Sequence, residues 1–208
     1  EKFKDNILYF YDLNAKANYQ IDEKNTLYLS GYFGRDKLGL SNTFGFNWGN
    51  ATGTLRWNHL FSNRLFSNTS LIMSKYDYTI ENLLSGSEFS VNSSIKDINL
   101  KQDFSFALNS KHELKFGFDA IHHTIAPGQI ASPSTSSVNP IKVETRKGLE
   151  LAAYVSDQYN VGEKVKLVYG LRLSSFSVLG GGIFKEFDTD GNECRWGYSL
   201  QSYHHVPH

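Results

Sequence analysis

The sequence predicts an all-β protein: an antiparallel, up-and-down transmembrane β-barrel, present here as about eight strands of a larger barrel. Three observations predict this fold. Apolar and polar residues alternate with a period of two, the pattern of strands that have two different faces. The connections between these runs are alternately short and long, as at the two rims of an outer-membrane barrel. Aromatic residues make up 14% of the chain, and several, among them Tyr19, Trp57, Phe61 and Tyr159, lie near the short turns, where a membrane interface would be.

The connections divide into two sets. Short turn-like stretches are expected at Asp22–Asn25, Ser62–Arg64, Asn109–His112 and Asn160–Lys164. Longer polar stretches are expected at Gly34–Thr43, Glu81–Ser93, Thr124–Arg146 and Leu179–Asn192. Within the third of these, the Ser- and Pro-rich run 126–140 is interpreted as a flexible exposed loop.

The first four strands are predicted from alternation in two hairpins. Leu13–Ile21 has apolar residues at odd positions, and Leu27–Phe33 repeats the pattern after a turn. Leu55–Phe61 places Trp57 and Phe61 on one face. Leu65–Ile80 is predicted to be a strand of unclear parity, because apolar residues occur at both odd and even positions.

The last four strands alternate more sharply. Ile98–Leu108 and Leu114–Ala120 form one predicted hairpin, and Leu149–Val155 and Val165–Leu173 form the next. Charged residues fill the opposite faces: Asp97, Lys101, Asp103, Lys115, Asp119, Glu150, Lys166 and Arg172. Many of the strands exceed the ~9–11 residues that cross the hydrocarbon, so they are expected to project beyond the membrane. Gly31, Gly117 and Gly170 are interpreted as sites of curvature or crowding.

Composition excludes some classes of partner. The chain has 21 basic and 21 acidic residues, so no net field attracts nucleic acid. The lone Cys194 forms no internal disulfide and says little about redox compartment. The negative mean hydropathy does not argue against a membrane, because a barrel exposes only every second residue to lipid.

Two other architectures stay open on periodicity alone. A soluble β-sandwich or lipocalin-like ligand-binding barrel also alternates, with its apolar face turned inward. An eight-strand chain is also long enough to close on itself as a small outer-membrane barrel with a structural or adhesive role. The long charged rows and the alternation of short and long connections favour the larger membrane barrel.

Recognisable residues occur at Ala152–Phe176. Ala152, Tyr154, Asp157 and Tyr159 precede a short turn, and Gly170, Leu171 and Arg172 end the next strand. This run resembles the barrel of TonB-dependent outer-membrane receptors. Leu55–Tyr78 and Ile98–Ala120 resemble the same family, so that the resemblance extends from Leu13 to about Gly182.

The resemblance implies nutrient import across the outer membrane of a gram-negative cell. Such receptors are barrels of about 22 strands with a plug domain in the lumen, and an inner-membrane complex supplies the energy. Their substrates are metal chelates, vitamins, glycans or peptides. The present sequence contains no plug and about eight strands, so we expect residues 1–192 to be a fragment of a receptor barrel, with outer-membrane lipid as its neighbour. An open arc alone would leave unpaired backbone groups in lipid.

No residue is predicted to be catalytic, to bind a cofactor or to ligate a metal, and the protein is not expected to be an enzyme. His122 and His123 point to opposite faces of a strand and cannot share an ion. Asp188–Glu193 begins like a calcium loop but lacks the later positions. No ligand contact is assigned; the loops Glu81–Ser93 and Thr124–Arg146 are the best candidates for one.

The C-terminal segment breaks the pattern. Residues 193–208 contain the lone Cys194 and the histidines His204, His205 and His208. The alternation stops there, and the histidines are interpreted as incidental rather than as a metal site. We expect this atypical tail to lie outside the barrel.

Overall fold

The computed structural model describes residues 6–41, 43–162 and 164–180, together with the backbone of three short strands further on. All of the regular structure described is β. The eight long strands are β1 (Ile7–Gln20), β2 (Asn25–Leu40), β3 (Phe44–Ser62), β4 (Leu65–Asn82), β5 (Phe89–Ala107), β6 (His112–Ala131), β7 (Arg146–Val161) and β8 (Val165–Leu179). The short strands are β9 (Lys185–Phe187), β10 (Glu193–Arg195) and β11 (Ser202–Tyr203).

The long strands form one antiparallel sheet in chain order, from β1 at one edge to β8, which also pairs with β11. Strands β9 and β10 form a separate pair. Each long strand therefore pairs with its neighbours in sequence, which is the predicted up-and-down topology. Within the described residues β1 and β8 do not pair with each other, so these eight strands form an open section of wall rather than a small closed barrel.

The cross-strand register assigns each residue to a face, because directly paired residues lie on the same side of a sheet. Leu29, Leu55, Leu71, Leu100, Ala120 and Leu151 form one continuous row across β2 to β7. The neighbouring row contains Asn99, Ile121 and Glu150. The first set defines the apolar face and the second the polar face.

The parity of β4, which the sequence left open, follows from this pairing. Leu71 and Met73 pair with Leu100 and Ile98 on the apolar face. Ile72 pairs with Asn99 and therefore lies on the polar face. The competing apolar residues of β4 are thus divided between the two faces, and only the neighbouring strand determines which set faces which way.

The four short turns are confirmed at 21–24, 63–64, 108–111 and 162–164. The prediction of a long connection at Gly34–Thr43 is wrong, because β2 continues to Leu40 and only residues 41–43 connect it to β3. Its Gly, Asp, Ser and Asn residues favour turns, but β1 and β3 pair with both edges of this segment. Pairing on both sides overrides the local preference.

Two of the other long connections are shorter than predicted. The stretch Glu81–Ser93 reduces to residues 83–88, and Thr124–Arg146 reduces to residues 132–145. The expectation of a flexible loop over 126–140 is wrong at its start, because β6 extends to Ala131. Its pairing with β5 shifts where Ser93 faces Pro127 and Gly128, since proline has no N–H to donate. Of Leu179–Asn192, residues 181–184 and 188–192 lie outside the described residues.

The exposure of the two faces is the reverse of that in a soluble protein. Leu100 is 43% exposed and Leu171 80% exposed on the apolar face, whereas the Asp119 side chain on the polar face is 16% exposed. Only neighbouring strands contact one another in the described sheet, so no second layer covers the apolar side chains. The described residues include no helix that is long and apolar enough to cross a bilayer.

Candidate functional site

The polar face of β5 to β8 carries a network of ionisable side chains on neighbouring strands. Its members are Asp97, Lys101 and Asp103 on β5, Asp119 and His123 on β6, Glu150 and Tyr154 on β7, and Arg172 on β8. We refer to these eight residues as the polar wall. Their alternation with apolar residues brings them all to one side of the sheet.

At the loop end of the polar wall, one histidine connects three strands. His123 Nδ1 lies 2.8 Å from Asp97 Oδ1, and His123 Nε2 lies 3.7 Å from Glu150 Oε2. His123 is 19% exposed. Carboxylates thus lie beside both ring nitrogens, and His123 joins β5 and β7 through its own strand β6.

In the middle of the polar wall, Tyr154 donates a hydrogen bond from its hydroxyl to Asp103 Oδ1 over 2.5 Å. The ring crosses β6 at Gly117, where a Cβ would lie 3.1 Å from Tyr154 Cε1 and 2.2 Å from the Gln102 carbonyl oxygen. A glycine is therefore required for this approach, and the predicted crowding at Gly117 is confirmed. Lys101 Nζ lies 3.4 Å from Asp103 Oδ2.

The remaining members of the polar wall are less completely paired. Arg172 Nη2 lies 3.8 Å from Asp119 Oδ2. Asp119 Oδ1 is buried without a hydrogen-bond partner among the described residues, and so are Asn68 Oδ1 and Asn99 Oδ1 on the same face. Buried acceptors of this kind usually bind water or another polar surface. The polar wall therefore retains hydrogen-bonding capacity toward whatever lies in front of it.

An aromatic cluster marks the short-turn end of the apolar face. The His59 ring contacts Trp57 and Phe61, Phe61 lies 6.5 Å from Phe104, and Phe104 stacks on Phe116 at 5.0 Å between centroids. Tyr159 stacks on His112 at 4.4 Å on the next strand pair. The predicted positions of Trp57, Phe61 and Tyr159 near the short turns are therefore confirmed, as expected of an interfacial girdle.

Charged side chains mark the other end of the same face. Asp77 binds Arg35 at 3.0 Å and Lys75 at 2.9 Å, and Lys96 pairs directly with Lys75 across the strands. On β5 the apolar face between Lys96 and Phe106 covers roughly 33 Å at about 3.3 Å per residue. At a tilt of about 40° this gives a height of about 25 Å, the usual apolar band of an outer-membrane barrel.

The two candidate ligand loops meet. Ser137 N donates to Gly86 O over 2.9 Å, which joins loop 132–145 to loop 83–88. Loop 132–145 also folds onto β6 through the Ile130–Ile141 bridge. The exposed apolar side chains at this rim are Leu83, Leu84 and Ile141. These loops thus form one surface, which we call the loop rim.

The structure separates the other candidate residues. His122 lies on the apolar face opposite Leu149, whereas His123 lies on the polar face, so the two histidines cannot share an ion. No group of three or more potential metal ligands occurs among the described residues. The Asp188–Glu193 sequence, apart from the backbone of Glu193, and the histidines of residues 204–208 lie outside the described part of the chain. The expectation that residues 193–208 lie outside the barrel stays a prediction.

An exposed apolar band between an aromatic girdle and a charged rim, with an ion-paired polar wall behind it, defines the wall of a β-barrel membrane protein. The family model described as TonB dependent receptor-like, beta-barrel matches residues 3–199. The chain therefore belongs to this family, whose members are outer-membrane receptors and transporters rather than enzymes. No curated protein and no solved structure matches the chain.

Proposed function

We propose that this chain forms part of the barrel wall of an outer-membrane receptor for the energy-coupled uptake of a large nutrient. The observation that carries the proposal is the difference between the two faces of the sheet. A bare apolar face suits hydrocarbon, and a sheltered, ion-paired face suits an aqueous or protein-filled lumen. Among the described residues, neither face is covered by the second layer that a soluble barrel or sandwich requires.

The polar wall is the proposed contact surface for a plug domain in the lumen. Its ion pairs and the hydrogen bond from Tyr154 to Asp103 join β5 to β8, so the surface is preorganised before a partner docks. The unpaired acceptor Asp119 Oδ1 points to a polar partner with donors. Energy coupling would act through that plug, so the role of the polar wall is to hold and release a moving domain rather than to catalyse a reaction.

The loop rim is the proposed site of nutrient capture. Gly86 and Ser137 join two loops from different hairpins, which gives the rim a defined shape. Leu83, Leu84 and Ile141 give it exposed apolar surface beside polar backbone. This combination suits a ligand with both polar and apolar parts, within the range of metal chelates, vitamins, glycans and peptides.

A transport assay in cells tests the proposal. A strain that lacks the receptor is complemented with the whole protein, or with a variant in which residues 83–88 and 132–145 are each replaced by two-residue turns. We expect the whole protein to restore uptake of one nutrient class, and we expect a protonophore to abolish that uptake. The shortened variant should insert normally but fail to bind the nutrient.

Two results would contradict this function. One is partition of the whole protein into the aqueous phase without detergent, which would exclude a membrane barrel. The other is uptake in the complemented strain that persists when the proton-motive force is dissipated, which would indicate a passive pore. A heat-modifiability gel serves as the control, since a folded membrane barrel migrates differently before and after boiling.

A further inference from the structure

An apolar groove of about 860 Å³ crosses the outward, apolar face of β1 to β5. Its floor consists of small residues, which include Gly31 and Gly53, and its sides include Phe33, Met73 and Ile98. A Cβ at Gly53 would meet nothing within 4 Å, and one at Gly31 only the Thr52 carbonyl oxygen at 3.9 Å. The glycines here are not needed for close packing. They leave an open depression.

Two lysines close the end of this groove nearest the loop rim. Lys75 and Lys96 line it and pair directly across β4 and β5. Side chains in this position have Cβ atoms about 5 Å apart, and like charges placed there repel each other. Both lysines are exposed, so nothing in the fold forces them together. An anion between them would attract both ammonium groups and offset their mutual repulsion.

The carboxylate next to this pair does not neutralise it. Asp77 binds Lys75 through Oδ1 and Arg35 through Oδ2, so one negative charge faces three positive ones. Lys96 forms no ion pair with any described residue. Lys147 adds a further positive charge on β7, in the same row as Lys96 with Thr124 between them. The row is therefore basic, and it lies where the apolar band ends.

We propose that Lys75, Lys96 and the groove bind a phosphorylated lipid of the outer leaflet, the lipid A part of lipopolysaccharide. The phosphate would lie between the two ammonium groups, and one acyl chain would lie in the groove across Gly31 and Gly53. Barrels of this family carry their longer loops on the outside of the cell, which places the lysines at the headgroup level of the outer leaflet. The proposal rests on the proposed location of the barrel in the outer membrane, but it does not depend on which nutrient is imported.

A phosphorylated lipid fits this site better than other ligands because it matches both the charge of the lysines and the shape of the groove. A free phosphate would use the lysines but not the groove. A zwitterionic lipid would fill the groove but bring its own cation to the lysines. A lipid with several acyl chains and an exposed phosphate uses both, and basic residues at a membrane surface attract anionic headgroups.

Native mass spectrometry of the purified whole receptor tests the proposal, with lipid A and dephosphorylated lipid A as probes. We expect lipid A to remain bound after mild detergent washing and the dephosphorylated form to be lost. The double substitution Lys75→Gln and Lys96→Gln should weaken lipid A binding roughly 30-fold, at about 1 kcal/mol per lysine. Substitution of both lysines by arginine should retain it.

A matched control uses Lys16→Gln and Lys115→Gln, which remove two lysines from the opposite face. This variant should bind lipid A as the wild type does. Gly53→Val tests the groove separately, since valine suits a strand and a Cβ at this position meets nothing within 4 Å. It should reduce binding without loss of the folded barrel. Equal retention of lipid A and its dephosphorylated form by the wild-type receptor would overturn the proposal, whether or not any variant folds. Equal lipid A binding by the glutamine variant and the control would also overturn it.

Discussion

The two faces of β5 differ in chemistry and in exposure, although their residues alternate one by one along the strand. Leu100 is 43% exposed on one face, while Asp103 on the other face has a side chain that is 28% exposed and paired with Lys101. In a soluble protein the leucine would be buried and the carboxylate solvated. This reversed exposure indicates that the apolar face of the sheet contacts hydrocarbon. The alternation in the sequence therefore separates a lipid-facing side from a lumen-facing side, and it does not form a buried core.

The largest predicted effect tests directly whether the apolar face contacts lipid and the polar face lines the lumen. Leu100→Arg places a charge near the middle of the apolar band and should destabilise the barrel by about 2–4 kcal/mol. Asn99→Arg adds the same side chain to the polar face one residue away and should cost less than about 1 kcal/mol. The measurement is urea unfolding of the whole receptor in lipid vesicles. If both variants lost the same stability, the faces would not be lipid and lumen.

The second prediction concerns the polar wall. Tyr154→Phe removes the hydrogen bond to the Asp103 carboxylate and should cost about 1.5 kcal/mol, the usual value for a bond to a charged group. Tyr28→Phe is the control, because Tyr28 lies on the same face and forms no side-chain hydrogen bond with the described residues. A stability loss for the control as large as that for Tyr154→Phe would show that the hydrogen bond itself contributes little.

Much of this comparison could be predicted from the sequence, because period-two alternation requires only local information. The faces of Ile98–Leu108 and Leu114–Ala120 were predictable for this reason. The parity of β4 was not, since Leu71 and Ile72 satisfy opposite faces equally well and only pairing with β5 distinguishes them. The polar wall was predictable as a charged face, but not as specific pairs. Whether His123 reaches both Asp97 and Glu150 depends on register across three strands.

The loop ends were the least predictable part. Gly34–Thr43 contains residues typical of turns, yet most of it is strand. Sequence patterns report local preference, and they do not report that β1 and β3 pair with both edges of the segment. The contact between Gly86 and Ser137 joins residues far apart in the chain, and nothing local predicts it. The existence of loops 83–88 and 132–145, in contrast, could be predicted from the length and polarity of the sequence between the strands.

A third effect, confined to one loop, concerns the loop rim. Gly86 has a φ of +81°, where a β-branched side chain is strained by roughly 1–2 kcal/mol. Gly86→Val should therefore loosen loop 83–88 and its contact with Ser137 while leaving the barrel intact. Limited proteolysis of intact cells should cleave the variant faster within this loop. Gly53→Val, a glycine substitution without strain, should leave the cleavage rate unchanged; unaltered cleavage of Gly86→Val would contradict the assigned role of the turn.

The smallest effect lies in a turn that belongs to neither face. The pKa of the Asp22 carboxyl is below its ordinary value of 3.8 because Asn25 Nδ2 donates to both of its oxygens and the Lys24 N–H donates to Oδ1. A lowered pKa stabilises the folded state above the ordinary pKa, and this stabilisation is lost as pH falls through the lower, folded value. The stability difference between the wild type and Asp22→Ala should therefore shrink below about pH 4. A difference that grows on acidification would contradict the assignment.

The most direct test of the account is a paired spin-label measurement on the whole receptor in lipid vesicles. Leu100→Cys and Lys101→Cys, each combined with Cys194→Ser, place labels one residue apart on opposite faces. We predict that oxygen, which dissolves in hydrocarbon, relaxes the Leu100→Cys label far more than a water-soluble nickel chelate does. The Lys101→Cys label should be shielded from lipid and show no such preference for oxygen. Labels that respond alike, or a label at Lys101→Cys that reports the lipid phase, would contradict the assignment of the apolar face to the membrane.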